Sequence, residues 1–237
     1  MGSAEKKEST EEGTGLENVI YTSRFSSEED QSREIIWRVL CDRFFPKYVN
    51  VNDTVLDLGA GDGKFIRHIK ATRKIAVDLS PHVKALEKDN IEVYQLPARE
   101  MAGALKGQAD IVFMSNFLEH LPTKTILLEV LQGVREVLKP GGKVLILQPN
   151  VRYVGSAYWD YIDHHIALTE HSLAEALQIT GFEVKETIPQ FLPYTARSKL
   201  GLLSRVLGTE LMIKTYLKFP LVWKVLGGQT LMLGKKL

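Results

Sequence analysis

A glycine-rich turn constrains the fold of this chain more than any other segment. The apolar run Val55–Leu58 includes one acid, Asp57, and glycines then occupy every second position, 59, 61 and 63, before an amphipathic stretch begins at Lys64. Glycine lets the backbone turn sharply and approach a ligand closely, because it has no Cβ and adopts positive φ. A buried strand, a tight turn and a helix in this order predict the first unit of an α/β protein.

The spacing of these glycines differs from the dinucleotide-binding pattern Gly-x-Gly-x-x-Gly. Gly63 stands where that pattern has a free position, and Lys64 takes the place of its last glycine. The dinucleotide pattern presents helix N-terminal amides to a pyrophosphate, whereas Asp57 and Asp62 flank this turn and would repel one. The turn therefore favours a ligand with an ammonium group, a sulfonium or ribose hydroxyls, and it disfavours an NAD-dependent oxidoreductase.

Three further segments follow in the order that a parallel sheet wound by helices requires. Residues 74–81 predict a second buried strand that ends at Asp78, which lies 21 residues after Asp57. At about this spacing an acid reaches ribose hydroxyls in nucleotide-binding folds. Residues 109–121 predict a strand and its loop, and residues 138–147 predict a Pro-Gly-Gly turn and another strand. Any one of these could be an ordinary turn, but four matches in order favour a cofactor site.

Together the four segments, within residues 54–148, resemble the class I S-adenosylmethionine (SAM)-dependent methyltransferases. The resemblance implies an α/β fold with a Rossmann-like, doubly wound, seven-stranded sheet that is mostly parallel and has its last strand antiparallel. It also implies an N-terminal helix, a lid insertion before the last strand, and S-adenosyl-L-methionine as the cofactor. Within the class, the chain is similar to methyltransferases that accompany glycan or natural-product assembly.

The resemblance assigns roles to the residues of these loops. Asp57 would receive the amino-acid end of SAM, Asp78 its ribose hydroxyls, and the loop that begins at Ser115 would face the sulfonium. The adenine contact falls on Ala98 and Arg99, where the family has a carboxylate and this chain departs from it. The expected cofactor-binding residues are Asp57, Gly59, Ala60, Gly61, Gly63, Asp78, Leu79, Ala98, Arg99, Ser115 and Asn116.

Three histidines are candidates for catalysis on the acceptor. His120 follows the predicted fourth strand, and its imidazole can act as a base near neutral pH, although a structural role in the loop is an equal alternative. His164 and His165 end the cluster 159–165, which lies after the predicted fifth strand, where the resembled family builds acceptor sites. Because adjacent side chains point in different directions, we expect one of these two to enter the site.

The sequence narrows the acceptor without naming it. The loop after the predicted fourth strand lacks the Asn-Pro-Pro-aromatic arrangement of the methyltransferases that act on exocyclic amines, and Cys41, the single cysteine, is poorly placed as a nucleophile for cytosine methylation. The similarity to methyltransferases of glycan and natural-product assembly implies, as the preferred acceptor, a hydroxyl of a small molecule or saccharide, including lipid-linked saccharides. A SAM-binding partner subunit that has lost catalysis is the alternative from another class.

A metal site has some support from the spacing of ligand-type side chains. Four residues close in sequence could hold an ion, but histidine clusters are more often structural, and metal-dependent catechol-type relatives place their carboxylates differently. We therefore predict no metal. The four residues are Asp163, His164, His165 and His171.

Composition limits the partners and the location of the chain. A formal net charge of +1 over 237 residues gives no basic field for nucleic acid, so no nucleic-acid partner is expected. One cysteine, no apolar run of about 18 residues and no signal-peptide core predict a cytoplasmic protein. Residues 1–17 are expected to be disordered, and residues 18–237 to form one methyltransferase domain. The oligomeric state is left open.

Residues 188–228 form the predicted lid insertion. Its functional interpretation is a substrate lid with peripheral membrane contact, and the alternative is an amphipathic cap with a solvated basic face. Leu203, Leu207 and Leu211 share one helical face by their spacing. The single acid of the insertion, Glu210, is outnumbered by six basic residues: Arg197, Lys199, Arg205, Lys214, Lys218 and Lys224. Aromatic surface is expected from five further residues: Phe191, Tyr194, Tyr216, Phe219 and Trp223.

Overall fold

A computed structural model of the protein describes residues 26–194 and 208–237. Its centre is a seven-stranded sheet in the order β3-β2-β1-β4-β5-β7-β6. Strand β7 is antiparallel to both of its neighbours, and the other pairs are parallel. The predicted fold class is therefore confirmed. The strands are β1 (Thr54–Leu58), β2 (Arg73–Asp78), β3 (Glu92–Gln95), β4 (Ala109–Ser115), β5 (Leu138–Pro149), β6 (Phe182–Leu192) and β7 (Gln229–Lys236).

Helices cover both faces of the sheet, as a parallel sheet requires. The first, α1, begins with a capping box in which the Ser26 hydroxyl and the Glu29 carboxylate each accept from the other residue's backbone N–H. The helices are α1 (Ser27–Arg43), α2 (Lys64–His68), α3 (Met101–Leu105), α4 (Lys124–Val137), α5 (Val151–Val154), α6 (Glu170–Ile179), α7 (Thr209–Lys218) and α8 (Pro220–Leu226); short 3-10 helices include Pro81–Asp89, Ala98–Glu100 and Leu118–His120.

Alternation along the strands separates two hydrophobic cores. In β4, Ile111 and Phe113 pack with the side chains of α1, α2, α7 and α8, whereas Val112 and Met114 pack with those of α3, α4 and α6. Such alternation follows from the period of two in a strand, which sends successive side chains to opposite faces. Both faces are thereby covered, and the carboxyl ends of the strands remain as the edge where a ligand can bind.

The strand order reverses between β1 and β4, which pair directly in the middle of the sheet. In open α/β sheets the crevice outside the carboxyl ends at such a reversal is the usual ligand site. Leu58 pairs with Met114, so the turn that starts at Gly59 and the loop that starts at Ser115 leave the sheet side by side. The fold thus brings the two sequence motifs together.

The described part of the predicted insertion packs against the core. Phe191, Tyr216 and Trp223 are buried, so the expected aromatic surface is wrong for these three, although Phe219 is exposed. The Tyr216 hydroxyl donates to the Phe191 carbonyl at 2.6 Å, and the Trp223 indole donates to the Tyr216 carbonyl at 2.8 Å. Buried Tyr and Trp need such partners, which the sequence pattern could not reveal.

Several predictions fall on residues that the structure does not describe. They concern the tail 1–17 and, in the insertion, Arg197, Lys199, Leu203, Arg205 and Leu207. Across the ranges 26–194 and 208–237, no helix combines the length and the apolar character needed to cross a membrane.

Candidate active site

The glycine turn adopts a backbone that other residues rarely take. Gly59, Gly61 and Gly63 have φ values of +73°, +54° and +75°. A Cβ on Gly59 would lie 2.5 Å from Cδ2 of Phe117, because the loop after β4 closes directly over the turn. Glycine is required at this position both for the positive φ and for the contact.

Asp57 and Asp78 stand at the ends of the adjacent strands β1 and β2. Both Asp78 oxygens accept backbone hydrogen bonds at 2.8 Å, one from Gly61 and one from Ser80. Asp57 is buried, and its carboxylate is stabilised by the backbone N–H of Ile66. The two predicted acids therefore flank the same turn, and Asp78 stabilises the conformation of that turn through its hydrogen bond with Gly61.

Burial disfavours the ionised form of the carboxyl groups of Asp57 and Asp78. Desolvation, followed by the charges of Asp78 and Asp62, raises the pKa of Asp57 well above its ordinary value. Desolvation also raises the pKa of Asp78, although backbone N–H groups of the turn oppose the shift. A ligand that brings a positive charge or hydroxyl donors would relieve this penalty. The residues therefore fit the ammonium group and ribose hydroxyls of SAM.

Lys64 is a site residue whose role the sequence did not reveal. Its side chain is only 6% exposed, and its ammonium lies 2.9 Å from Asp30 of α1 and 3.0 Å from Asp62 of the turn. These hydrogen bonds outweigh desolvation, which acts in the opposite direction, and raise the pKa of Lys64. The sequence showed Lys64 only as a departure from a glycine pattern, whereas the structure shows an ion pair that joins α1 to the turn.

The remaining predicted cofactor residues lie around the same edge. Ala60 is buried in the turn, and Leu79 is partly exposed after β2. Ala98 opens a 3-10 helix, and the Arg99 guanidinium is exposed 3.8 Å from a carboxylate oxygen of Glu129 on α4. The adenine contact at Ala98 and Arg99 stays a prediction.

Ser115 and Asn116 form the start of the loop after β4. Asn116 has a φ of +47°, which non-glycine residues rarely adopt, and its side-chain amide donates to the Ser115 hydroxyl at 3.1 Å. Its backbone N–H donates to the carbonyl of Leu147 on β5 at 2.9 Å. Strained backbone often marks a functional position, which agrees with the predicted role of this loop.

A compact polar cluster follows this loop. Ligand-type atoms of Glu119, His120 and His164 all lie within 4.8 Å of one another. Nδ1 of His120 lies 3.0 Å from the Asp163 carbonyl and 3.2 Å from its carboxylate, and Nδ1 of His164 lies 2.9 Å from the Tyr158 carbonyl. We call Glu119, His120 and His164 the Glu-His-His cluster.

The Glu-His-His cluster contains two of the three predicted catalytic histidines, His120 and His164. The rings of His120 and His164 have centroids 5.2 Å apart, whereas His165 is exposed, and so is His171. The backbone N–H of His165 donates to the Glu119 carbonyl, but its imidazole is exposed and is not part of the cluster. Of the two adjacent histidines, the structure thus brings one to His120, and the catalytic roles of all three stay predictions.

The charge state of His120 follows from its neighbours. Desolvation lowers the pKa of His120, but the hydrogen bond to Asp163 and the nearby charge of Glu119 outweigh it and raise the pKa. Asp163 reaches His120 only because the chain returns 43 residues later, which no local pattern predicts.

Gln148 is a second residue that the sequence did not single out. Its side chain is 2% exposed at the carboxyl end of β5, where it pairs in register with Thr230 of β7. Neither polar atom of its amide has a hydrogen-bond partner among the residues that the structure describes. A buried amide without partners is unfavourable by about 1–3 kcal/mol, so its retention points to a ligand group.

The fold and these residues define a SAM-dependent methyltransferase of class I. A family model described as a methyltransferase domain matches residues 29–187, about two thirds of the chain, and the chain belongs to this family. The family and the fold imply SAM as the cofactor.

Individual relatives agree with this assignment. The chain is 30% identical over 116 residues to the probable methyltransferase ltbC of Aspergillus luteorubrus, covering 42% of this chain and 41% of that protein. It is 29% identical over 155 residues to the ubiquinone biosynthesis O-methyltransferase of Acinetobacter baylyi (strain ATCC 33305 / BD413 / ADP1), covering 56% of this chain and 64% of that protein. In each case the match spans less than two thirds of the relative.

A solved structure supports the fold over nearly the whole chain. The SAM-dependent methyltransferase from Archaeoglobus fulgidus superposes with a TM-score of 0.62 at 21% identity, covering 93% of this chain and 99% of that one. Identity this low shows the fold alone. The acceptor must therefore be argued from the residues of this chain.

Proposed function

We propose that the protein transfers the methyl group of SAM to a hydroxyl of a small molecule or saccharide, a class that includes lipid-linked saccharides. The observation that carries the proposal is the Glu-His-His cluster, which follows the loop that covers the glycine turn. The O-methyltransferase named among the relatives favours oxygen over nitrogen as the acceptor atom. The alternative is a SAM-binding partner subunit without catalytic activity.

On the cofactor side, the role proposed for the chain is to bind SAM and to orient it. When bound, SAM supplies a methyl group activated by its sulfonium. Asp78 would accept hydrogen bonds from the ribose hydroxyls, Asp57 would receive the ammonium group, and the positive φ values of the turn would let the backbone approach the cofactor. Helix α1 is joined to the turn by the ion pair of Lys64 with Asp30, and it would cover the bound cofactor from this side and exclude water. Orientation and exclusion of water are the main contributions a protein makes to such a displacement.

On the acceptor side, the cluster assists loss of the hydroxyl proton. The reaction forms a bond between the acceptor oxygen and the methyl carbon, breaks the bond from that carbon to sulfur, and releases the acceptor proton. His120, positioned by Asp163, and His164, positioned by Tyr158, are the groups that promote this loss. The amide of Gln148 at the end of β5 has no hydrogen-bond partner within residues 26–194 and 208–237 and is available for a polar group of the acceptor.

The surface of the insertion supports a further part of the proposal, namely that residues 188–228 form a lid that rests on an anionic membrane surface. Leu221 and Val225 of α8 are 77% and 80% exposed, and Phe219 just before them is exposed. Lys218 and Lys224 lie among these side chains and are exposed as well. Apolar side chains flanked by lysines are typical of interfacial helices. The proposed location is the cytoplasm.

The test of the proposed function is a labelling experiment. The full-length protein is incubated with methyl-labelled SAM and a pool of small-molecule and saccharide acceptors, and the products are identified by mass spectrometry. We expect label in a methyl ether. Calorimetry should show binding of SAM and of S-adenosylhomocysteine, with Asp78→Asn weakening both because the ribose loses a charged acceptor.

Variants distinguish between an active methyltransferase and a SAM-binding subunit without catalytic activity. His120→Ala and His164→Ala should each lower turnover on the acceptor while SAM affinity stays nearly unchanged, because these residues act on the acceptor. His165→Ala tests the remaining predicted residue, and His171→Ala, with its exposed side chain, is the matched control. Intact binding of SAM without any labelled product would favour the partner subunit. Label found only on nitrogen would contradict transfer to oxygen.

A further inference from the structure

We propose that Glu119, His120 and His164 bind a divalent transition-metal ion. The expectation from sequence was no metal, and it rested on four residues of which only His164 belongs to the Glu-His-His cluster. The three ligand-type atoms lie within 4.8 Å of one another, and Glu119 and His164 are 1% and 9% exposed. Two imidazoles and one carboxylate gathered at the end of a buried strand form a ligand set found in catalytic metal sites.

The hydrogen bonds of the two imidazoles orient them for an ion. In each ring Nδ1 faces an acceptor, the carbonyl and carboxylate of Asp163 for His120 and the carbonyl of Tyr158 for His164. A neutral imidazole that donates through Nδ1 presents an unprotonated Nε2, which is a metal ligand atom. Metal-binding histidines almost always show this arrangement, in which the second ring nitrogen donates to a carboxylate or a carbonyl.

The backbone around Glu119 is fixed as well. Its carbonyl accepts hydrogen bonds from the N–H groups of both His165 and Ile166, at 2.8 Å and 3.2 Å. These bonds hold the segment that carries His164 against the segment that carries Glu119 and His120. The cluster is therefore built by two chain segments, and His164 follows His120 by 44 residues.

The donor set selects the class of ion. Mg²⁺ and Ca²⁺ take oxygen ligands, whereas two nitrogens and one oxygen suit Zn²⁺ and its neighbours in the first transition series. Ligand atoms of a tetrahedral zinc site lie about 3.4 Å apart, given bonds of about 2.1 Å. The separations in the structure are within 4.8 Å, so rotation of the side chains would complete the site. Three protein ligands leave a fourth position open for an oxygen atom.

An ion at this position would lower the pKa of a bound acceptor hydroxyl, so that the proton leaves to solvent before the oxygen attacks the methyl group. This role rests on the proposed methyl transfer, whereas binding of the ion does not. Asp163 is then a positioning residue, because it contacts His120 and not the ion.

The test measures binding without cofactor or acceptor. Full-length protein that carries no affinity tag is freed of metal with a chelator and titrated with Zn²⁺ and with Co²⁺, whose visible absorption reports its coordination. We expect one ion per chain and absorption typical of a four- or five-coordinate site, with Mg²⁺ failing to compete. Glu119→Gln and His164→Gln should each lower Zn²⁺ affinity by at least about 100-fold, and Asp163→Asn by about 10- to 100-fold.

Controls make the result decisive. His171→Ala removes an exposed histidine outside the cluster and should bind Zn²⁺ like the wild type. Binding of S-adenosylhomocysteine by each variant shows that it is folded, and its absence in all proteins would contradict the proposed cofactor without touching the metal site. Failure of the wild type to bind Zn²⁺ or Co²⁺, or unchanged affinity in Glu119→Gln and His164→Gln, would overturn the proposal.

Discussion

The ammonium of Lys64 lies 2.9 Å from the carboxylate of Asp30, and this ion pair joins the N-terminal helix α1 to the glycine turn. Lys64 also contacts Asp62 at 3.0 Å and Glu34 at 3.6 Å, so three carboxylates surround one buried ammonium. Because a nearly buried charge needs partners, the position of α1 and the shape of the turn depend on each other.

We expect Lys64→Met to weaken binding of SAM by about 10-fold, which is about 1.4 kcal/mol. Methionine fills the same volume but cannot hold Asp30 and Asp62 together, so α1 no longer closes the site. Calorimetry with SAM measures the effect. Arg67→Met is the matched control. Arg67 lies on the same short helix α2 as Lys64, and the substitution breaks its ion pair with Asp89. A lower melting temperature with unchanged SAM affinity would show that Lys64 serves stability alone.

We expect Asp57→Asn to raise stability at neutral pH while weakening SAM binding. The folded-state pKa of Asp57 lies above its ordinary value, so the folded wild type loses stability as pH rises from about 4 through that raised pKa. Asparagine does not ionise and still accepts from Ile66. The gain in melting temperature of the variant should therefore be small near pH 4 and larger near pH 7. A gain that is constant with pH would contradict the electrostatic argument.

We expect Gly59→Ala to reduce SAM affinity by at least about 10-fold and to destabilise the protein by about 1–2 kcal/mol, the penalty for a left-handed residue with a Cβ. The new Cβ also meets Phe117 at 2.5 Å and pushes away the loop over the turn. The double variant Gly59→Ala/Phe117→Ala separates strain from collision, because it removes Cγ and Cδ2 of Phe117, the two atoms that lie within 3 Å of the new Cβ. Gly103→Ala in α3, where a Cβ meets nothing within 4 Å, should be neutral or stabilising. Normal SAM binding by Gly59→Ala would remove the turn from the cofactor site.

We expect Gln148→Met to stabilise the protein and to impair use of the acceptor. The substitution removes a buried amide that lacks partners in the described chain, so the melting temperature should rise. If an acceptor group pairs with this amide, kcat/KM for the acceptor falls by about 10-fold and SAM affinity stays unchanged. Gln178→Met on the exposed face of α6 is the control. Unchanged kinetics would leave Gln148 as a residue of the fold only.

The succession of strands and turns over residues 54–148 could be predicted from sequence because its signals are local, whereas the antiparallel last strand was an implication of the family resemblance. The turn after β1, the acid at the end of β2 and the Pro-Gly-Gly before the last part of β5 are each read within a few residues. Asp110, near the start of β4, accepts from the backbone N–H of Thr54 and pairs with Lys139. Parallel sheets assembled from such units have few possible topologies, so local signals were sufficient.

The acceptor side could be predicted only in part, since it is built from distant contacts. His120 and His164 were recognised as candidates one by one, but the proximity of His164 to Glu119 and His120 requires the fold. The insertion shows the same limit. A run of aromatic and basic residues does not distinguish buried Trp223 from exposed Phe219, because the difference lies in what α1 and β6 present to them.

The exposed face of α8 leads to a prediction about membranes. Lys214 is already paired with Glu210 at 2.5 Å, so on the described helices α7 and α8 the lysines available to an anionic surface are Lys218 and Lys224. Each lysine near a membrane contributes about 1 kcal/mol, so Lys218→Gln/Lys224→Gln should weaken binding to anionic vesicles by about 30-fold. The effect should diminish at high salt, where exposed charges are screened beyond about 3 Å at 1 M.

The apolar part of the same face needs a separate variant. Leu221→Ser/Val225→Ser should weaken vesicle binding at every salt concentration, because it removes apolar surface that enters the lipid interface. Co-sedimentation with phosphatidylserine-containing vesicles measures both variants, and Lys106→Gln/Lys185→Gln, elsewhere on the surface, controls for net charge. SAM affinity should stay at the wild-type value in all of them. If the wild type does not sediment with these vesicles, or if all three variants sediment like it, the basic and apolar side chains of this segment are solvated surface and the insertion is a structural cap.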